Sequence, residues 1–194
     1  MLIQAQVGPA VSSTSLGVGT MPNLRLDNMG GLTATQLNPR YYETTYRRQT
    51  FSVATQAGQT TTVGMATTHV GLCLFNPTTS TVNLVVTKFG YGLNAAPAAA
   101  MVVGLMNGTG VTTQTTAITS SIRNRFIGGV GSQCIALTSS TLTGTPIVDM
   151  IVGSHVATTL ASHPLTTVDL EGSIIVPPGG YLATYTSSRS EEHT

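Results

Sequence analysis

The chain has 194 residues, with 8 Lys and Arg against 7 Asp and Glu, a net charge of +1, and only 8% charged residues. So weak a field does not gather nucleic acid or an anionic membrane surface, and so few ionisable groups leave little with which to run acid–base catalysis. The commonest residue is threonine, β-branched and suited to a pleated, half-buried surface, and this composition predicts a β-rich structural protein that is not an enzyme and holds no cofactor.

Residues 1 to about 38 are rich in Gly, Ser, Asn and Pro, and their apolar residues follow neither the helical nor the strand period. This predicts an extended N-terminal arm, taken here as residues 1–48. Leu2, Ile3, Leu16, Val18, Leu24 and Leu26 make it too apolar for a solvated linker, so it is expected to pack on a neighbour or on the body. The first nine residues have neither a basic n-region nor an apolar h-region, and no secretory signal is expected. Thr, Ser, Gly or Asn breaks every apolar run short of the roughly 18 residues a spanning helix requires.

At the end of the arm, Arg40 to Arg48 is a short helical candidate, with Glu43 and Arg47 at i,i+4. It is also the densest polar cluster. Aromatic side chains interleaved with arginine stack on bases or sugars in some proteins, but Tyr and Arg are equally the residues that anchor protein–protein contacts. With the rest of the chain almost uncharged, Arg40, Tyr41, Tyr42, Tyr46, Arg47 and Arg48 are assigned to an interface.

From Gln49 to Ser188 the pattern predicts a β-sandwich or jelly-roll domain. Strands are expected at 50–56 and 60–66 around Ala57-Gly58, then at 70–75, ended by Asn76-Pro77 because proline lacks the ladder donor. In 82–93, Val82, Leu84 and Val86 read as one face, Val85 and Phe89 as the other. Ala95 to Ala100 is a loop broken by Pro97. Further strands are expected at 101–106, 112–119, 133–138, 146–152, 173–176 and 181–186, spaced as in an all-β sandwich. Cys73 and Cys134, in apolar runs and lacking metal-site spacing, read as buried small hydrophobes rather than a disulfide.

Other constellations are weaker. His69, His155 and His163 lack the spacing of a metal site and read as surface or hydrogen-bonded histidines. Asp169-x-Glu171 puts two carboxylates on one strand face, the pair a glycosidase needs, but reads as solvated turn acids just before a strand. Gly128-Gly129-Val130-Gly131 lacks the lysine of a phosphate loop and reads as tight turns, and Asn107-Gly108 as a hairpin turn.

Four runs carry a resemblance: Asn38 to Phe51 (NPRYYETTYRRQTF), Thr67 to Pro77 (TTHVGLCLFNP), Val82 to Val86 (VNLVV) and Ser173 to Tyr181 (SIIVPPGGY). Together they resemble a group of proteins common in environmental tailed-phage sequences, over most of residues 29 to 186. The resemblance implies a virion structural protein of head-decoration or fibre type, a jelly roll that trimerises, and it carries no active-site motif. Near-zero net charge, which removes the repulsion that keeps monomers apart, points the same way. The expected partners are further copies of the chain and a major capsid or other virion protein, located on the virion. The alternative is a head or tail fibre module that binds host glycans through Tyr41, Tyr42, Tyr46 or Asn94.

The final six residues, Arg189-Ser-Glu-Glu-His-Thr194, are identical to the translation of a widely used sequencing-library adapter. Residues 189–194 are therefore read as a non-native tail. The expectation is that the natural chain continues past Ser188 and that the last strand leaves one sheet edge unpaired.

Overall fold

The computed structural model describes residues 39–55, 58, 61–97, 99–117, 122–156 and 165–188. Most of the predicted arm, His163 and the 189–194 tail lie outside them. The chain divides into two compact units, Met1–Glu43 and Thr44–Thr194.

The described elements are one short helix, α1 (Tyr42–Tyr46), and ten strands: β1 (Phe51–Ser52), β2 (Thr68–Phe75), β3 (Leu84–Tyr91), β4 (Met101–Thr109), β5 (Val111–Ala117), β6 (Arg123–Asn124), β7 (Ile135–Leu142), β8 (Ile147–His155), β9 (Thr166–Val176) and β10 (Gly180–Ser188). All pairings are antiparallel. The protein is all-β, as its β-branched composition and recurrent turn signals predict. Six strands form one sheet in the order β5-β7-β2-β10-β4-β8, and two pairs, β3-β9 and β1-β6, stand apart from it.

The large sheet curls. β4 and β5 are separated only by Gly110, yet four strand spacings of about 4.8 Å lie between them in the strand order, more than one residue can bridge across a flat sheet. Gly110 makes the corner with a φ of 83°, a conformation that strains any residue with a Cβ. Its N–H donates to the Gly179 carbonyl at 2.6 Å and its carbonyl accepts from the Thr143 N–H at 2.9 Å.

The curl encloses a first core of Cys73, Phe75, Met106, Leu137, Leu142, Tyr181, Ala183 and Tyr185, every member drawn from β2, β4, β7 and β10 of that one sheet. A second core fills the space between this sheet and the β3-β9 pair: Val86, Phe89, Leu170 and Val176 from the pair, Leu105 and Leu182 from the large sheet. Strand alternation makes both possible, since Tyr181 and Ala183 enter the first core while Leu182 between them enters the second. Each fully buried large apolar side chain contributes roughly 1.5–3 kcal/mol.

Asn76 joins the two layers at one end. Its side chain is fully buried, and its Nδ2 donates to the carbonyls of Val82 (2.8 Å) and Val176 (3.0 Å), which flank β3 and end β9. The Cys134 thiol donates to its Oδ1 at 3.6 Å. Its backbone N–H donates to Gly180 and its carbonyl accepts from Gly179, at the start of β10. Elsewhere Tyr91 of β3 meets His155 of β8, hydroxyl to Nε2 at 2.7 Å and ring edge to face, a second tie between the layers.

Several expectations are corrected. Residues 61–66 are not a strand: they run beside β2 and β10, with Thr62 N–H on the Val70 carbonyl (2.9 Å), Thr62 Oγ1 accepting from Val70 N–H (2.8 Å) and Gly64 N–H on the Thr186 carbonyl (2.7 Å). Threonine hydroxyls here take over part of what ladder bonds would supply. Of the predicted 50–56 strand only Phe51–Ser52 is regular, because its partner β6 is two residues long. Phe89 lies in the core beside Val86, while Val85 is exposed, because the β3-β9 register shifts between Val86 and Lys88 and resets the alternation. Asn107-Gly108 is inside β4, one turn short of the corner at Gly110. Finally, β10 does not leave an open edge: it sits between β2 and β4 in the middle of the large sheet.

Candidate functional site

Of the six residues assigned to an interface, Arg40 and Tyr41 precede α1 and Tyr42 and Tyr46 bound it. No residue of α1 is buried, and Tyr42 and Tyr46 are 46% and 59% exposed. A five-residue helix with no buried face has neither propensity nor packing to hold it. It is held at its end instead. Arg48 N–H donates to the Thr45 carbonyl and Gln49 N–H to the Thr44 carbonyl, a Schellman closure that puts Arg48 at a φ of 61°, where glycine is usual. In the other unit, the Arg40 guanidinium lies 5.3 Å from the centre of the Tyr41 ring.

Arg48 tolerates its left-handed backbone because its neighbours fix it. Its carbonyl accepts from Asn124 Nδ2 at 2.8 Å, and its guanidinium lies over the Phe126 ring at 5.1 Å. Arg48→Gly relieves the backbone strain, about 1 kcal/mol, and removes a cation–π contact of similar size. Its thermal midpoint is expected to stay within a few degrees of wild type, and a midpoint lowered by 10 °C or more in a calorimetric scan contradicts this balance.

Asn124 organises a second element that the sequence did not reveal as a site. Phe51 and Ser52 pair with Asn124 and Arg123, and Arg125 N–H donates to the Thr50 carbonyl. Beyond them, Asn124 Oδ1 accepts from Phe126 N–H (2.9 Å) and Nδ2 also reaches the Val130 carbonyl (3.1 Å). Phe126-Ile127-Gly128-Gly129 closes a turn through Gly129 N–H to Phe126 C=O at 2.8 Å, with Gly128 at a φ of 80° as a type II turn demands. The expected tight-turn role of these glycines is thereby met. The turn presents Ile127 at its tip, 96% exposed, with Arg123 and Arg125 exposed four and two residues before it. A signal was present: Arg-Asn-Arg-Phe-Ile is a charged and apolar run among Thr and Gly. Nothing in its pattern says that Ile127 points outward.

Asp169 and Glu171 are not turn acids before a strand; they lie within β9. Asp169 faces Lys88 in the register and Val86 faces Ile174, so four residues of β9, Leu170 to Ser173, bulge opposite the single Thr87. Glu171 and Gly172 take φ of 52° and 82°, and Glu171 N–H donates to Asp169 Oδ1 at 3.1 Å. Beside the bulge lies a groove of about 680 Å³ lined by the half-buried Met150, Val168 and Ile174, the buried Leu170, and the exposed Asp149, Asp169 and Glu171. Asp149 accepts from Asn107 Nδ2 at 2.9 Å.

His69 is not at the surface. It is 1% exposed on β2, and neither ring nitrogen has a hydrogen-bond partner. Burial pushes its pKa down to about 4, offset in part by the Leu72 backbone. Cys73 and Cys134 are buried and unbridged, and burial raises the Cys73 thiol to about 12. A thiol so placed is not a nucleophile near neutral pH. Among the described residues no group of three or more His, Cys, Asp or Glu side chains is placed to hold a metal ion. No helix among them is long and apolar enough to cross a membrane.

No protein-family model, curated protein or solved structure matches the chain.

Proposed function

We propose that this chain is a non-enzymatic structural protein of a tailed-phage virion, a jelly-roll-type capsid-decoration protein that acts as a homotrimer through subunit–subunit and shell contacts. The observation that carries the reading is the exposure of Tyr42 and Tyr46 on a helix of which no residue is buried, followed directly by the exposed Arg47 and Arg48. Such side chains supply contact area at low entropic cost and are the residues on which protein interfaces depend. The resemblance of four runs to tailed-phage proteins adds support to this reading. Burial of threonine-rich and apolar surface against the shell stabilises the particle, at roughly 25 cal/mol per Å² of apolar area before association costs.

The test is quantitative mass spectrometry of purified particles, followed by heating of particles with and without the protein. Stoichiometric copies and a lower disruption temperature without it are expected. A copy number of a few per particle, together with glycan-array binding lost in Tyr42→Ala and Tyr46→Ala, favours the fibre alternative, which the exposure of the same tyrosines also supports.

A further inference from the structure

The acids and the arginines of the second compact unit lie on different elements. Among its described residues the carboxylates are Asp149, Asp169 and Glu171, and all three line the β9 groove. Its described cations are Arg47, Arg48, Arg123, Arg125 and Lys88: Lys88, opposite Asp169, lies on β3, Arg47 and Arg48 precede β1, Arg123 begins β6 and Arg125 follows it. Between Thr44 and Thr55, and between Ile122 and Cys134, there is no acid. One element of the unit is thus cationic with a bare isoleucine at its tip, and β8 and β9 form a partly apolar groove lined by three carboxylates.

We propose that these two features are the halves of one interface, and that Ile127 of one copy seats in the β9 groove of a second copy, with Arg123 and Arg125 meeting the carboxylates Asp149, Asp169 and Glu171. The tip is built to be inserted. The turn is closed by its own hydrogen bond and braced by three bonds of Asn124, so Ile127 is held in place before contact and little ordering entropy is lost on docking. The groove offers the half-buried Met150, Val168 and Ile174 for the apolar side chain, and the carboxylates that line it are opposite in sign to the charges beside the tip. Lys88 weakens this lining by one charge without reversing it. An interface whose halves are different patches is heterologous: its rotation closes a ring or, failing closure, propagates a filament. The inference deepens the homo-oligomer part of the proposed function and does not depend on the virion part.

The test uses the full chain and sedimentation or light scattering across a concentration series. Ile127→Asp is expected to weaken self-association about tenfold or more, and 1 M salt to weaken it as well. The double variants Arg123→Glu/Arg125→Glu and Asp149→Lys/Glu171→Lys are each expected to fail to self-associate, and both reversals in one chain to restore it. Because a misfolded variant is not rescued by a second charge reversal, recovery isolates the contact from folding. Two half-dead chains mixed, one carrying Ile127→Asp and one Asp149→Lys/Glu171→Lys, are expected to form a 1:1 pair and nothing larger. An oligomer indifferent to Ile127→Asp and to both reversals overturns this interface while leaving the homo-oligomer standing; a wild-type chain that stays monomeric at about 0.1 mM overturns both.

Discussion

Replacing Asn76 by alanine is expected to cost about 3 kcal/mol, the largest effect of any single polar substitution here. The amide donates to two carbonyls inside the structure, those of Val82 and Val176, and accepts from the Cys134 thiol. Val82 keeps a second donor in Ser80 Oγ at 3.1 Å. Val176 loses its side-chain donor, and a fully buried side chain leaves a void behind. An orphaned buried acceptor costs about 1–3 kcal/mol, and the void adds to that. Asn76→Asp is expected to be at least as damaging at neutral pH, since a carboxylate has no proton to donate and faces the same carbonyls. Cys134→Ala, which removes only a weak thiol donor, serves as the control. Urea unfolding midpoints for the three variants rank them, and an Asn76→Ala midpoint no lower than that of Cys134→Ala refutes the assignment.

Mild acid is expected to destabilise the protein through one buried histidine. His69 is neutral when folded and its pKa is depressed to about 4, against 6.5 when exposed. Above pH 6.5 both states are neutral at this site and it costs nothing. As the pH falls through 6.5 the unfolded chain takes up a proton that the folded chain refuses until about pH 4. Stability is therefore lost across that window, at about 1.4 kcal/mol per pH unit and about 3 kcal/mol in all. Between pH 6.5 and 5 the loss is about 2 kcal/mol. His69→Leu removes the titration and leaves no polar ring stranded in the interior, so its stability is expected to be nearly flat over that interval. A wild-type slope that persists in His69→Leu assigns the acid sensitivity to another group.

The all-β class and most strand positions were legible because alternation of Thr with Val, Leu and Ile survives wherever a strand has one buried face. What escaped was set by register. The bulge in β9 places Asp169, Glu171 and Gly172 in a strand although acids and glycine are poor strand formers, and no local pattern announces four residues opposite one. The same shift moved Phe89 to the core. Residues 61–66 alternate well enough to be a strand, but their partners are threonine hydroxyls and distant backbone, which only the fold brings near. For the candidate site, the tyrosines of α1 and the arginines beside it were visible as composition. The Ile127 tip was not, because exposure of one isoleucine depends on the turn geometry that Asn124 and Gly128 impose.

The order of strands in the large sheet also governs when it can exist. Its middle strand, β10, is the last described strand in the chain, and it brings β2, over a hundred residues earlier in sequence, alongside β4. Until β10 emerges from the ribosome, β2 and β4 each lack a neighbour and the first core lacks Tyr181, Ala183 and Tyr185. Assembly must then wait for closure of a long loop, which places folding among the slower, milliseconds-to-seconds cases and leaves the nascent chain with unpaired strand edges in the interval. A cell making many copies at once would meet that exposure with chaperones, and its yield of usable subunits would depend on how quickly the last strand is delivered.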